Sequence, residues 1–434
     1  MTDTVARIND LKPSKKVLSR AVLAGSFGNL MEQYDNLIYA YSAVTIGLLF
    51  FPGEDPVTQL LSTFAVFAVG FLARPVGTLV FGHFGDKYGR RKAMIFSVIL
   101  MGLATVGVGI LPTFEQVGVI APVLLVVLRL LQGFAIAGEW TGSTAMLVEF
   151  APKNRRGLFG SFNQVTTAGG FLLASAVVAL NSFLFGEEAI NEYAWRFPFL
   201  LGILTLAVAV LLRLGLEDTP SFKKQQREGT TVQNPLRESL RSQKRAILRG
   251  FGFNVGWTVA YFFFLTYIPS YLTNIAGVDP SVARSSNLVA LVVMTVAVAV
   301  FGALSDKVGR KPLLLTGMGG FILLTWPVLL LFNSGSVAAV YIGQLVVVLV
   351  LAVFSGAGPA ALAELFPTNV RYSALGIGYN FSVMGFGGTA PFIATAIVGA
   401  TGAPQTVAIL PILAAIVTFL VVARSPESSH LPLR

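Results

Sequence analysis

The stretch Gly82-His-Phe-Gly-Asp86-Lys87-Tyr-Gly89-Arg90-Arg91-Lys92 is a short charged turn between two long apolar runs. Half a chain later it returns in reduced form as Gly302-Ala-Leu-Ser-Asp306-Lys307-Val-Gly309-Arg310-Lys311. A second loop repeats at nearly the same separation: Glu149-Phe-Ala-Pro152-Lys-Asn154-Arg-Arg156 reappears as Glu364-Leu-Phe-Pro367-Thr-Asn369-Val-Arg371. Two independent loops that repeat together require a duplicated unit, so the chain is expected to fold as two related halves.

The segments between those loops decide what the halves are made of. Of 434 residues, 54% are hydrophobic and only 12% charged, and the mean hydropathy is +0.74, far too apolar for a soluble domain. Roughly twelve runs reach the ~20 residues that a helix needs to cross a hydrocarbon core about 30 Å thick. They fall near 21–50, 58–82, 93–112, 118–147, 158–184, 196–216, 246–273, 283–304, 312–332, 337–365, 373–400 and 404–423. Alternation of polar and apolar residues is absent, and backbone groups in lipid must be satisfied within the segment, so the spans are helices and a β-barrel is excluded. The expected fold is all-α and integral to a membrane, with twelve transmembrane helices in two pseudo-symmetric six-helix bundles. The bundles cover 1–216 and 246–434, joined by a polar linker over 217–245.

The net charge of +10 does not signal nucleic acid, because the basic residues sort by loop. Most of the 31 Lys and Arg lie before the first span, after every second span and in the stretch Arg213 to Arg249. The other loops carry Glu54, Asp55, Glu115, Glu187, Glu188, Glu192 and Asp279. That asymmetry places both termini on the cytoplasmic side of the membrane, with the basic loops against anionic lipid. The chain has no cysteine and two histidines, His83 and His430, which excludes disulfides and thiolate metal sites. No metal or cofactor is expected, and no cleaved signal peptide is apparent in the first 20 residues.

Several stretches carry a family resemblance: the turn at 82–92, Gly28-Asn29-Leu-Met-Glu32-Gln-Tyr34-Asp35, Phe71-Leu72-Ala-Arg74-Pro75-Val-Gly77, Arg129-Leu-Leu-Gln132-Gly133, Gly138-Glu139-Trp140, Trp195-Arg196-Phe-Pro198-Phe199-Leu200 and Glu217-Asp-Thr-Pro220-Ser-Phe222. Through them the chain resembles the major facilitator superfamily and, more narrowly, its metabolite:proton symporters, which include permeases for proline and betaines, α-ketoglutarate, citrate and shikimate. The resemblance implies alternating access, uptake rather than export, and work as a monomer. Where that family usually reads Glu-Trp-Phe/Tyr-Asp-Phe, this chain reads Glu32-Gln33-Tyr34-Asp35-Asn36, with amides in place of two aromatic residues. About ten residues follow Arg424, so the long coiled-coil tail of some family members is not expected.

Charge inside a span is costly and marks candidate function. Here it is confined to the first half: Glu32 and Asp35 in the first span, Arg74 in the second, Arg129 and Glu139 in the fourth, with Glu149 at the fourth span's end. At 1.5 Å per residue, Glu32 and Arg74 each lie about 18 Å from the cytoplasmic ends of their helices, a depth at which they can pair. Arg129 lies farther out, within reach of Asp35 or of an anionic cargo. Asn29, Glu32, Asp35 or Asn36, and Tyr39 share a helical stripe, which either faces an aqueous cavity or glues helices together. A carboxylate that loses its cationic partner on one side of a transport cycle takes up a proton. Glu32 or Asp35 is therefore the expected proton carrier, with Arg74 or Arg129 as switching partner.

In the seventh span Asn254, Trp257, Tyr261 and Phe264 recur at helical spacing, and Pro269 permits a bend. This stripe is expected to line the cavity, the alternative being that Trp257, Phe262 and Phe263 face lipid. Gln164, Thr167, Tyr379 and Asn380 are further cavity candidates. Gly356, Gly358, Gly385, Gly387 and Gly388 are expected to serve close packing or bending. Gly82, Asp86, Arg90, Glu149, Asp306, Arg310 and Glu364 are expected to form gating contacts at the cytoplasmic ends.

Two intramembrane arginines serve a tricarboxylate poorly. The expected activity is proton-coupled import of a mono- or dicarboxylic organic acid, and the second reading is a zwitterionic osmolyte such as proline, a betaine or ectoine. Drug export and nutrient sensing without transport rank below both. An enzyme finds no support: there is no nucleophile elbow, no metal-ligand spacing and no phosphate-binding loop.

Overall fold

The computed structural model describes residues 15–53, 55–88, 90–136, 139–152, 154–214, 240–367 and 371–429, with 431 and 433. Among them twelve helical rods follow one another. In the first bundle these are α1 (Lys15–Tyr41, then Ala43–Phe50), α2 (Pro56–Leu72, then Arg74–Tyr88), α3 (Arg90–Gly109), α4 (Ile120–Ala135, then Glu139–Phe150), α5 (Arg156–Glu192) and α6 (Phe197–Leu200, then Gly202–Leu214). The second bundle contains α7 (Lys244–Asn274), α8 (Pro280–Val308), α9 (Arg310–Phe332), α10 (Val337–Glu364), α11 (Arg371–Ser382, then Ala390–Thr401) and α12 (Ile409–Ala423). Nine helices in the described residues are long and apolar enough to cross a membrane. The start of α1 and the end of the chain share one side, the tail side. The linker expected over 217–245 lies outside the described residues as far as 239.

Local chemistry sets the helix starts. Asp55 caps α2 by accepting from the backbone N–H groups of Val57 (3.2 Å) and Thr58 (3.0 Å), with Pro56 in the first turn. Asp279 does the same for α8, accepting from Ser281 N–H at 2.8 Å ahead of Pro280. The two bundles thus begin their second helices with the same Asp-Pro device. The hydroxyls of Thr58 and Ser281, followed by these N–H groups, hold both carboxyls below the usual range. The rods overlap the spans expected from hydropathy, but α5 runs past 184 to Glu192 across a break at Gly186, whose φ of 73° suits only glycine.

Packing places α7 at the centre. Of its most apolar window 94% is buried, against 33% for α5 and for α8, because α7 is covered by helices of both bundles. Its aromatic residues therefore do not face lipid: Trp257, Phe262 and Phe263 are all buried. Over Tyr261–Tyr267 the helix widens into π turns, and α11 does the same over Val383–Gly387. Pro269 lacks an N–H to donate one turn back, which favours a change of hydrogen-bonding register before it. The bundles press together where α5 crosses α8. A Cβ on Gly157 would stand 2.5 Å from the Gly302 carbonyl oxygen, and one on Gly302 would stand 2.4 Å from the Ser161 Cβ.

Candidate functional site

Between the bundles lies a cavity whose wall alternates amides and rings. Gln33 of α1, Trp140 of α4, Gln164 and Thr167 of α5, Trp257 and Tyr261 of α7, and Tyr379 of α11 line it, together with Phe171, Thr258, Phe262 and Val383. About 40 Å³ is open to the centres of water-sized molecules, enough for a few waters. The rings of Trp140 and Tyr379 stack across the two bundles at 3.9 Å and 5°. Trp257 meets Trp140 edge-to-face at 6.0 Å, and its Nε1 donates to Ser355 Oγ at 2.9 Å. Tyr261 Oη donates to Gln164 Oε1 at 2.7 Å, a hydrogen bond from one bundle to the other. No charged side chain among the described residues lines the cavity, and none of them form a cluster of three or more His, Cys, Asp or Glu spaced to hold a metal.

Of the five intramembrane charges, Glu139 has its side chain outside what is described, and the other four differ in their relation to the cavity. Glu32 and Arg74 belong to the cavity's edge: both are buried, and both interact electrostatically with the lining residue Tyr379 and with each other. Gln33 Nε2 donates to Glu32 Oε1 at 3.4 Å, joining the carboxylate to the wall, and the Arg74 guanidinium lies 4.2 Å over the Phe71 ring. Asp35 interacts electrostatically with Glu32 but directs its carboxylate to Thr205 of α6, and its Oδ1 is buried without a hydrogen-bond partner. Arg129 does not meet Asp35. It is held by the rings of Tyr39 (4.4 Å) and Phe67 (5.0 Å), donates to Gln132 Oε1 (2.9 Å) and to Asn36 Oδ1 (3.4 Å), and lies away from the cavity wall.

The other expected cavity residues divide likewise. Gln164, Trp257, Tyr261 and Tyr379 are in the wall. Asn29 is not; its Nδ2 donates to Asn163 O and to the hydroxyls of Thr166 and Thr167, fastening α1 to α5. Tyr39 donates to Thr63 O at 3.1 Å and stacks on Phe67, outside the cavity. Asn380 donates across the bundles to Thr78 Oγ1 at 3.4 Å, beside the wall rather than in it. Asn254 donates to Gly250 O within its own helix, and Phe264 stacks on Phe321 of α9 at 5.4 Å. The stripe of α7 breaks for a physical reason. A π turn adds residues to the helical turn, so positions beyond Tyr261 rotate, Phe262 replaces Phe264 at the wall, and spacing alone gives no warning of it. Gln33 and Trp140 were missed as lining residues. The signal for Gln33 was its departure from the family pattern, and for Trp140 its place in a family motif.

Contacts between the bundles close the cavity on both sides. On the tail side the repeated loops exchange partners: Glu149 of the first accepts from Arg371 of the second at 2.6 Å, and Glu364 of the second pairs with Arg156 of the first at 3.5 Å. Arg310 meets Asp306 at 2.9 Å and Glu364 at 3.5 Å. The Asp306 carboxylate also caps α5, accepting from Gly157 N–H (2.8 Å) and Leu158 N–H (2.9 Å). Gly82, Asp86 and Arg90 lie in helical backbone, and their side chains are outside what is described. The chain's end joins this layer, with Leu431 O accepting from Arg156 and Ser428 Oγ donating to Glu364 at 2.6 Å. On the opposite side Phe71 and Phe67 of α2 meet Phe262 of α7 at 5.2 and 6.0 Å, and Phe64 meets Tyr267. Gly387 and Gly388 of α11 pack there against Phe262 and Phe71, whereas Gly385 has open space around it.

Comparison with known proteins agrees with this arrangement. The Major Facilitator Superfamily profile matches residues 18–347 and again 286–433. The glycine betaine/proline/ectoine/pipecolic acid transporter OusA of Dickeya dadantii is 35% identical, covering 87% of this chain and 77% of its own length. The proline/betaine transporter of Escherichia coli K12 is 32% identical over 96% of this chain and 85% of its own. The ectoine/proline transporter ProP of Corynebacterium glutamicum is 34% identical over 99% and 88%. Among solved structures, the proton:xylose symporter XylE bound to 6-bromo-6-deoxy-D-glucose superposes with a TM-score of 0.79 at 18% identity, covering 96% of this chain and 98% of that one. A twelve-helix duplicated shell, a central cavity between the halves and these relatives give one answer: the chain belongs to the major facilitator superfamily of membrane transporters and, within it, resembles the proline/betaine permeases.

Proposed function

We propose that this protein imports a small zwitterionic osmolyte of the proline, betaine or ectoine class together with protons, by alternating access across the bacterial inner membrane with both termini cytoplasmic. The observation that carries the reading is a cavity wall of amides, hydroxyls and rings, with no described charge in it and with Glu32 and Arg74 at its edge. A dicarboxylate entering such a wall would bring two charges without two cations to meet them. A zwitterion brings none in net, and desolvating it costs less. The substrates for which the relatives are named, proline, betaine, ectoine and pipecolic acid, reverse the order in which the sequence ranked organic acid and osmolyte.

Glu32 serves as proton carrier and Arg74 as its switching partner. They sit on α1 and α2, beside Tyr379 of the other bundle, so relative movement of the bundles changes their surroundings. Asp35, turned to α6 within the same bundle, would keep its neighbours through such a movement. In proteoliposomes with an acidic exterior, Glu32→Gln is expected to lose accumulation of labelled proline while retaining counterflow exchange. Asp35→Asn is expected to keep accumulation. Full acid-driven accumulation by Glu32→Gln would remove Glu32 from the coupling, and absence of proline and ectoine uptake by the native chain would remove the substrate class.

A further inference from the structure

We infer that Gln33 sets the cargo preference within the zwitterion class. It favours substrates whose cationic nitrogen still bears an N–H, such as a cyclic secondary ammonium or an amidinium, over fully alkylated ammonium. The inference rests on the zwitterion reading above and narrows it.

The geometry singles out one atom. Gln33 is 6% exposed and lines the cavity. Its Nε2 is tied to Glu32, which leaves the amide Oε1 as the end turned to cargo. The opposing amide is already committed at both ends: Gln164 Oε1 accepts from Tyr261, and its Nε2 donates to Asn163 Oδ1 at 3.2 Å. Gln33 Oε1 is thus an acceptor at the wall, in a position where the family pattern carries an indole. An N–H on the cargo's cation satisfies it with a charge-assisted hydrogen bond. An N-methyl group cannot, and leaves a desolvated carbonyl unpaired.

The rings argue in the same direction. Binding a quaternary ammonium relies on aromatic faces opened toward the cation. Here Trp140 and Tyr379 cover each other face to face at 3.9 Å, and Trp257 packs edge-to-face with Trp140 and with Tyr261. The inner faces are spent on ring-to-ring packing between the bundles rather than offered as a cage.

The test uses matched ligands on the full chain in nanodiscs: L-proline against N,N-dimethyl-L-proline, which share ring and carboxylate and differ in whether the ammonium carries two hydrogens or two methyl groups. Calorimetric affinities are expected to favour proline by about ten-fold or more. In Gln33→Leu proline should weaken by about ten-fold while the dimethyl compound stays within about two-fold. Equal or tighter binding of the dimethyl compound by the native chain overturns the inference, and so does an equal loss for both ligands in Gln33→Leu. In either case the zwitterion reading stands. Binding of neither ligand removes that reading and this one with it. The comparison on the native chain decides the matter even if Gln33→Leu fails to fold.

Discussion

Arg129 shows how a buried cation in a membrane protein can be held without a carboxylate. Its guanidinium lies over two rings and donates to two amides, so removing it strands no opposite charge. Its loss is expected to cost contacts rather than coupling. Arg129→Gln should lower stability by about 2–4 kcal/mol, the sum of a desolvated cation–π contact and charge-assisted hydrogen bonds, read as a fall in Tm of the purified protein, with counterflow retained. An unchanged Tm together with lost acid-driven accumulation would instead place Arg129 in proton transfer. The sequence shows that such charges exist, since ions within apolar runs are conspicuous. It does not show where they point. Asp35 and Asn36 are neighbours in sequence, yet one faces Thr205 of α6 and the other Arg129 of α4, because successive helical positions differ by about 100°.

The repeated loops were legible as repeats, but their pairing was not. Each presents an acid and, seven positions on, an arginine, and a local reading would pair them within the loop. Two-fold pseudo-symmetry pairs them across it instead, Glu149 with Arg371 and Glu364 with Arg156. Glu364 is the better-buried acid and also faces Arg310 and Ser428, so Glu364→Gln leaves the buried Arg156 guanidinium without its counter-ion and Arg310 with Asp306 alone, a loss costing about 3–5 kcal/mol. The expected consequence is a looser tail side. A cysteine placed at Thr167 in the cavity wall should react at least about ten-fold faster with an impermeant thiol reagent added from the tail side. An unchanged rate would mean that this layer does not hold the cavity shut. Glu427 adds a pH limit. Burial works against its charge, but N–H groups of Arg310, Ser429 and Lys311 outweigh that and hold its carboxyl below the usual range. A depressed value means that the contact is complete above about pH 4.5 and is lost as pH falls through the lowered value. Proteolysis of the tail after Arg424 should therefore be flat from about pH 6 to 8, and a steep change in that window would point to another group.

Hydropathy gave the twelve helices because water and lipid impose the same demand on every span, whatever its neighbours. The cavity was less legible, since it depends on helix rotation, on two π turns and on contacts between residues far apart in the chain. What hydropathy cannot show is that opposite ends of the molecule are closed by different means. The tail side is closed by buried ion pairs and by the Gly157–Gly302 approach, and the far side by rings with one exposed ion pair, Arg284 of α8 with Glu187 of α5 at 2.7 Å. Transport by alternating access requires each closure to open while the other holds. Near the far end, Asn287 Nδ2 of α8 donates to Ser175 Oγ of α5 at 3.2 Å, joining the bundles at a site that contributes nothing to the cavity wall. The chain has no native cysteine, so Ser175→Cys with Asn287→Cys supplies the only thiols present. Joining them with a short bifunctional thiol reagent is expected to abolish proline uptake, a reducible version of the reagent should restore it on reduction, and either single variant should transport before and after treatment. Uptake that survives complete cross-linking would show that the bundles need not part at this end, and a route between them through the cavity would then be untenable.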